Sequence, residues 1–154
     1  MDIGDLLSRE TIVTRAGASS KRQALQAAAD TAAAALGLPA QRLMDALLER
    51  EALGSTGLGG GVAAPHARLE GIERMTGVFI RLDTPVAFDA MDDRPVDLIF
   101  ALFAPPTDGA EHLRALAAVS RRLRSPEMRE QLRQARTADA LYALFLREVS
   151  ADAA

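Results

Sequence analysis

The amino-acid sequence predicts an α/β fold in one domain, a mixed β-sheet sandwiched between α-helices. Three observations carry this expectation. Val96 to Ala104, VDLIFALFA, is almost wholly apolar, the composition of a central strand covered on both faces. The order of patterns is one strand, two helices, short strands, two longer strands and three helices, which places helices on both sides of a sheet. The link between the two longer strands, Pro85 to Pro95, is short enough for antiparallel neighbours, and the sheet is then mixed. With 154 residues the chain fits one domain, residues 1–154, and can bury roughly 70% of its unfolded surface.

The elements follow from local chemistry. Asp2 to Glu10 reads as a lead-in with about one helical turn, and the β-branched Thr11 to Thr14 as a first strand. Ser20 and Gln23 form an S-x-x-Q capping box before an alanine-rich helix to Leu36, with Gly37 suited to its C-terminal cap. Pro39 fits the first position of a second helix whose apolar stripe is Leu43, Met44, Leu47 and Leu48. Gly54 ends that helix, placing Arg50 in or near its last turn. Gly61 to Ala64 makes a short strand, Leu69-Glu70-Gly71 a turn, and the alternating Gly77 to Leu82 a longer strand. Pro105-Pro106 stops the apolar strand. Asp108 and Glu111 mark the start of a third helix, with Leu113, Leu116, Ala117 and Leu123 as its inward stripe and His112 in its first turn. Ser125-Pro126 caps a fourth helix to about Gln134. Thr137 caps a fifth, with Leu141, Leu144 and Phe145 inward, and Ser150 to Ala154 reads as a frayed end.

Composition excludes several function classes. The net charge of −3 comes from 21 acids and 18 dispersed bases, which argues against nucleic acid as a partner. Absence of cysteine removes disulfides, thiol nucleophiles and cysteine metal sites. No apolar run is long enough to span a bilayer and the N-terminus lacks a signal-peptide plan, so a cytoplasmic location is expected. No cofactor is expected, and the oligomeric state is left open.

Chemistry concentrates in Gly54 to Arg68, GSTGLGGGVAAPHAR, which holds five glycines and ends near Pro65-His66. So many glycines imply positive φ angles or close backbone approach, with N–H groups able to face an anion. Two histidines exist in the chain, His66 and His112. A neutral imidazole is a good nucleophile near neutral pH. Arg50 offers a planar fork for phosphate oxygens, and His112 sits at a helix start, whose field favours anions. This set fits phosphoryl transfer. Blander readings stand beside it: a loop histidine, a solvated last-turn arginine, an exposed first-turn histidine. Two histidines could also bind zinc with Asp83 or Asp108. If the loop carries a phosphoryl group, Val62 and Leu58 are the expected apolar rim around it, and His112 is expected to contribute little packing.

Gly59-Gly-Gly-Val-Ala-Ala-Pro-His-Ala67 resembles the phosphorylation-site signature of the enzyme IIA proteins of the bacterial phosphotransferase system, of the fructose/mannitol-type superfamily. Arg50-Glu51, Ser55-Thr56-Gly57 and the spacing of His112-Leu113 after Pro-Pro are similar to its nitrogen-regulatory branch. The resemblance runs from about Ile3 to Val149. It implies a mixed sheet between helices, and it implies that His66 accepts a phosphoryl group from an HPr-like phosphocarrier protein, with Arg50 and His112 flanking it. Regulatory target proteins, dependent on phosphorylation state, are the further implied partners. The alternative is a subunit passing phosphate to a sugar-transport enzyme IIB; a third is a binding module that no longer transfers phosphate. Ala64 stands where this family usually has a larger aliphatic residue, and Ala67 where glycine is common, which could restrict the backbone just after His66.

Overall fold

A computed structural model describes residues 2–107 and 109–146. The lead-in forms two short 3₁₀ turns, Ile3–Leu6 and Arg9–Thr11. Thr11 closes the second turn by donating its hydroxyl to the Ser8 carbonyl, so the first strand, β1, is Ile12–Ala16 rather than Thr11 to Thr14. Helix α1, Lys21–Leu36, is capped by Ser20, whose Oγ accepts the Gln23 N–H at 3.1 Å. The Gln23 carboxamide oxygen accepts from the Ser19 N–H at 2.8 Å, so the box closes one residue earlier than predicted. Gly37 ends the helix at φ 69°. Helix α2 is Ala40–Ala52, and Pro39 is its N-cap in extended backbone rather than its first residue.

The sheet has six strands. After β1 come β2 (Gly57–Gly59), β3 (Val62–Ala63), β4 (His66–Arg68), β5 (Thr76–Val86) and β6 (Val96–Ala104). Their order is β1-β5-β6-β3-β2, with β4 pairing β6 beyond β3. The pairs β1·β5, β3·β6 and β4·β6 are parallel, whereas β5·β6 and β2·β3 are antiparallel, so the mixed sheet is as expected. Strand β5 runs past its predicted end through Pro85; the register with β6 shifts between Arg81 and Val86, where a residue without an N–H costs no ladder bond.

Strand alternation sorts the core into two layers. Val78, Ile80, Ile99, Ala101 and Phe103 meet Leu25, Leu43 and Leu47 of α1 and α2. Phe79, Leu98, Phe100 and Leu102 meet the other three helices. These are α3 (Gly109–Leu123), α4 (Pro126–Gln134) and α5 (Ala138–Leu146). The Phe145 ring lies edge-on to Phe79 at 5.0 Å and Phe100 at 5.4 Å, joining α5 to the central strands. Ser125 and Thr137 accept the Met128 and Ala140 N–H groups, as their positions predicted.

The inward stripe of α3 differs from expectation. His112, Ala115, Ala118, Val119 and Leu123 are buried, while Ala117 is exposed and Leu113 is 69% exposed. Spacing alone does not fix the rotation of the helix about its axis, and the docked face is centred on Ala115, Ala118 and Val119 instead. The Asp108 start signal and the Ser150 to Ala154 end lie outside the described residues.

Candidate functional site

The glycine-rich stretch is mostly strand. Val62–Ala63 and His66–Arg68 both pair with β6, placing His66 opposite Leu102, and the Leu102 N–H donates to the Pro65 carbonyl at 2.9 Å. A histidine on a strand paired to the central β6 is fixed in direction. Gly59, Gly60 and Gly61, at φ 88°, 66° and 84°, instead build the β2–β3 turn. The Gly60 N–H donates to Asp92 at 2.9 Å and the Gly60 carbonyl accepts from Arg133 at 2.9 Å. These glycines do not line the His66 cavity, so the expected anion cradle at this loop is not formed there.

Two hydrogen bonds set the state of the imidazole. His66 Nδ1 is 2.9 Å from the Ala64 carbonyl oxygen, which only accepts, so Nδ1 carries the proton. Arg50 Nε donates to His66 Nε2 at 3.2 Å, which therefore presents its lone pair. Arg50 Nη1 donates to the Gly54 carbonyl at 2.8 Å, steadying the guanidinium at the end of α2. Burial lowers the His66 pKa below its ordinary 6.5; the Ala64 bond opposes this, Arg50 adds to it and Glu51 opposes it. The ring stays neutral at neutral pH.

His112 meets His66 edge-on, with ring centroids 5.3 Å apart. It is buried, 6% exposed, contrary to the expectation of a residue with little packing. Its Nε2 has no hydrogen-bond partner among the described residues. Burial, then the charges of His66 and Arg68, lower its pKa from 6.5 to about 4. Arg50, His66, Arg68, Gly109 and His112 line one cavity of about 530 Å³. The structure thus gathers all three predicted site residues. Leu53, 83% exposed, and Leu113 form the apolar rim with Leu116. Val62 is wholly buried in the core and Leu58 does not line the cavity, so the predicted rim is corrected.

Ala64 is 5% exposed among core side chains, and Ala67 sits in β4 opposite Phe103 with a negative φ. Alanine at position 67 therefore imposes no left-handed strain. Asp83, the zinc alternative, binds Arg15 and does not line the cavity; Asp108 lies outside the described residues.

Residues 5–148 match the family described as phosphoenolpyruvate-dependent sugar phosphotransferase system, EIIA 2. The chain belongs to this EIIA family. Over 145 residues it is 44% identical to a nitrogen regulatory protein of Bradyrhizobium diazoefficiens, covering 94% of this chain and 95% of that one. It is 41% identical over 146 residues to the nitrogen regulatory protein of Escherichia coli K12, covering 94% and 90%. The crystal structure of nitrogen regulatory protein IIA-Ntr from Neisseria meningitidis superposes with a TM-score of 0.88 at 37% identity, covering 93% of this chain and 98% of that one. This EIIA protein is therefore a phosphocarrier component of the bacterial phosphotransferase system, of the nitrogen-regulatory branch.

Sequence reading missed Arg68, which lines this EIIA cavity, and a pair of residues that stand behind it. Arg68 lines the cavity two positions after His66 on the same strand, a spacing that signals a shared face. Glu51 and Thr56 bond to each other behind Arg50. They were visible only as parts of a family-like segment, because their partnership depends on how the chain turns at Gly54.

Proposed function

We propose that this chain accepts a phosphoryl group on His66 Nε2 from an HPr-like carrier and regulates partner proteins through its phosphorylation state. The observation that carries the reading is the Nδ1–H bond to the Ala64 carbonyl, which leaves the Nε2 lone pair beside the cavity under Arg50. In the step, that lone pair forms a bond to phosphorus. The bond between phosphorus and the donor breaks, and its electron pair leaves with the donor. Nδ1 keeps its proton, and the Ala64 carbonyl offsets the positive charge the ring acquires. Arg50 shifts its N–H from Nε2 to a phosphoryl oxygen, where a planar cation is most useful. His112, with Nε2 unpaired, orients the group, and the start of α3 at Gly109 adds a field that favours the anion.

The reaction is assigned to the cytoplasm; among the described residues no helix is long and apolar enough to cross a membrane. The nitrogen-regulatory relatives favour regulation over a sugar-transport subunit. The test is incubation with a phosphorylated HPr-like protein, then mass spectrometry under alkaline conditions that preserve phosphohistidine. Phosphate on His66, absent from His66→Ala, is expected. Phosphate on His112 alone, or label surviving in His66→Ala, refutes the assignment.

A further inference from the structure

Arg50 and Glu51 are neighbours at the end of α2 but enter different networks. Arg50 reaches His66. The Glu51 side chain, 6% exposed, forms an ion pair at 2.8 Å with Nζ of Lys21, the first residue of α1. The Thr56 N–H donates to Glu51 Oε2 at 3.2 Å, and the Thr56 hydroxyl donates to Oε1. Lys21 also donates to the Phe88 carbonyl at 3.4 Å and stands 4.7 Å over the Phe88 ring. Ser55 Oγ donates to the same carbonyl at 2.6 Å. The segment 54–56 is thus tied to α1, α2 and the chain leaving β5.

Both hydrogen bonds of the imidazole trace back to that segment. The Thr56 carbonyl accepts the Ala64 N–H at 3.0 Å, and the Ala64 carbonyl accepts His66 Nδ1–H at 2.9 Å. On the other side, the Gly54 carbonyl holds Arg50 Nη1 at 2.8 Å while Arg50 Nε holds His66 Nε2. Removing a buried carboxylate from such a network frees Thr56 and leaves Lys21 only the exposed Asp89 carboxylate at 4.0 Å, a costly exchange for a half-buried ammonium.

We propose that Glu51 is a positioning residue for the His66 imidazole: clamped by Lys21, it holds residues 54–56 and, through them, the two hydrogen bonds that fix the ring and its tautomer. The proposal rests on His66 as the phosphoryl acceptor. Glu51 does not line the cavity and acts only through other groups. The charged and titratable groups around His66 are Glu49, Arg50 and Glu51 of α2, Arg68 of β4 and His112 of α3. Among them, Glu51 works against the lowering of the His66 pKa.

The test is ¹⁵N NMR of the histidine rings, which needs no donor protein. Wild type should show the Nδ1–H tautomer of His66. Glu51→Gln keeps the Thr56 contacts but loses the charge, so the His66 pKa should fall further with the tautomer kept. Glu51→Ala loses both, and the Nε2–H tautomer should appear. Lys21→Met leaves the carboxylate unpaired, and the His66 pKa should rise. Given a phosphorylated HPr-like donor, Glu51→Ala should transfer at least about 10-fold more slowly per folded molecule, with half-saturating donor concentration unchanged. Glu51→Gln should recover most of that rate. A wild-type tautomer in folded Glu51→Ala would overturn the proposal whatever the His66 pKa, because loss of the charge alone shifts that pKa through space; so would a rate loss fully explained by unfolded protein. If wild-type His66 accepts no phosphoryl group, the acceptor reading falls, while the tautomer still decides whether Glu51 positions the ring.

Discussion

His66 Nδ1–H donates to a carbonyl two residues earlier in the chain, and that bond leaves Nε2 as the nitrogen with the lone pair. Arg50 Nε donates to that nitrogen directly. Arg50→Lys should slow transfer on the order of 10²-fold, because an ammonium cannot hold both Gly54 and a phosphoryl oxygen with a planar fork. Phosphorylation of Arg50→Ala at the wild-type rate would refute the role; stopped-time phosphorylation assays read it. His112 carries a second prediction. Its folded pKa of about 4 lies below the unfolded 6.5, so between these values the unfolded chain binds more protons. Stability should therefore fall as pH drops from about 6.5 towards 4, by up to about 2 kcal/mol at pH 5 after linkage, with solvent screening reducing the figure. Urea unfolding at pH 7.5 and 5 checks this, and His112→Gln should flatten the dependence. Slower transfer or a shorter-lived phosphoprotein is also expected of His112→Gln; unchanged kinetics and lifetime would leave His112 as a packing residue only.

The β2–β3 turn is the element whose role departs furthest from its sequence signal. A Cβ at Gly61 would clash with Arg133 Nη2, and the φ of 84° strains L side chains. Arg133 is in turn held by Asp97 at 2.9 Å, so it cannot simply swing away. Gly61→Ala should destabilise the fold by about 1–3 kcal/mol in chemical denaturation. Folded Gly61→Ala should still accept phosphate near the wild-type rate, since the turn is not part of the cavity. A selective loss of transfer with unchanged stability would return the glycines to the site.

At the scale of the molecule, the cavity is a charged recess in an apolar rim of Leu53, Leu113 and Leu116. Phosphorylating His66 adds about −1.5 to −2 charges at neutral pH. A partner seated on the rim must then desolvate that charge or supply arginines for it. Partners without such arginines should bind only the unmodified protein, and they should compete with the phosphoryl donor for the rim. Leu53→Asp, at an exposed site, should weaken both interactions about tenfold without affecting stability. Binding measurements on unmodified and phosphorylated protein decide the switch: equal affinities for every partner found would leave a plain phosphate relay.

Much of the architecture was legible because its signals are local. Caps at Ser20, Ser125 and Thr137, the αL glycine at 37 and the apolar run of β6 each act within a few residues. His66, Arg50 and His112 stood out by residue type and by likeness to a family. What the tertiary structure alone decided is contact between distant segments. The parallel pairing of β4 with β6 aims His66 at the end of α2 and the start of α3, and the docking of α3 turns His112 inward while leaving Leu113 in solvent. Helical spacing leaves the rotation of α3 about its axis open, and docking sets a face of His112, Ala115, Ala118, Val119 and Leu123 inward, which turns the predicted Leu113 and Ala117 to solvent. The glycine turn and the Lys21–Glu51–Thr56 network were equally hidden. Their hydrogen-bond partners are remote in sequence, Asp92 and Phe88 in the β5–β6 connection and Arg133 in α4, and only sheet register and helix docking bring them within bonding distance.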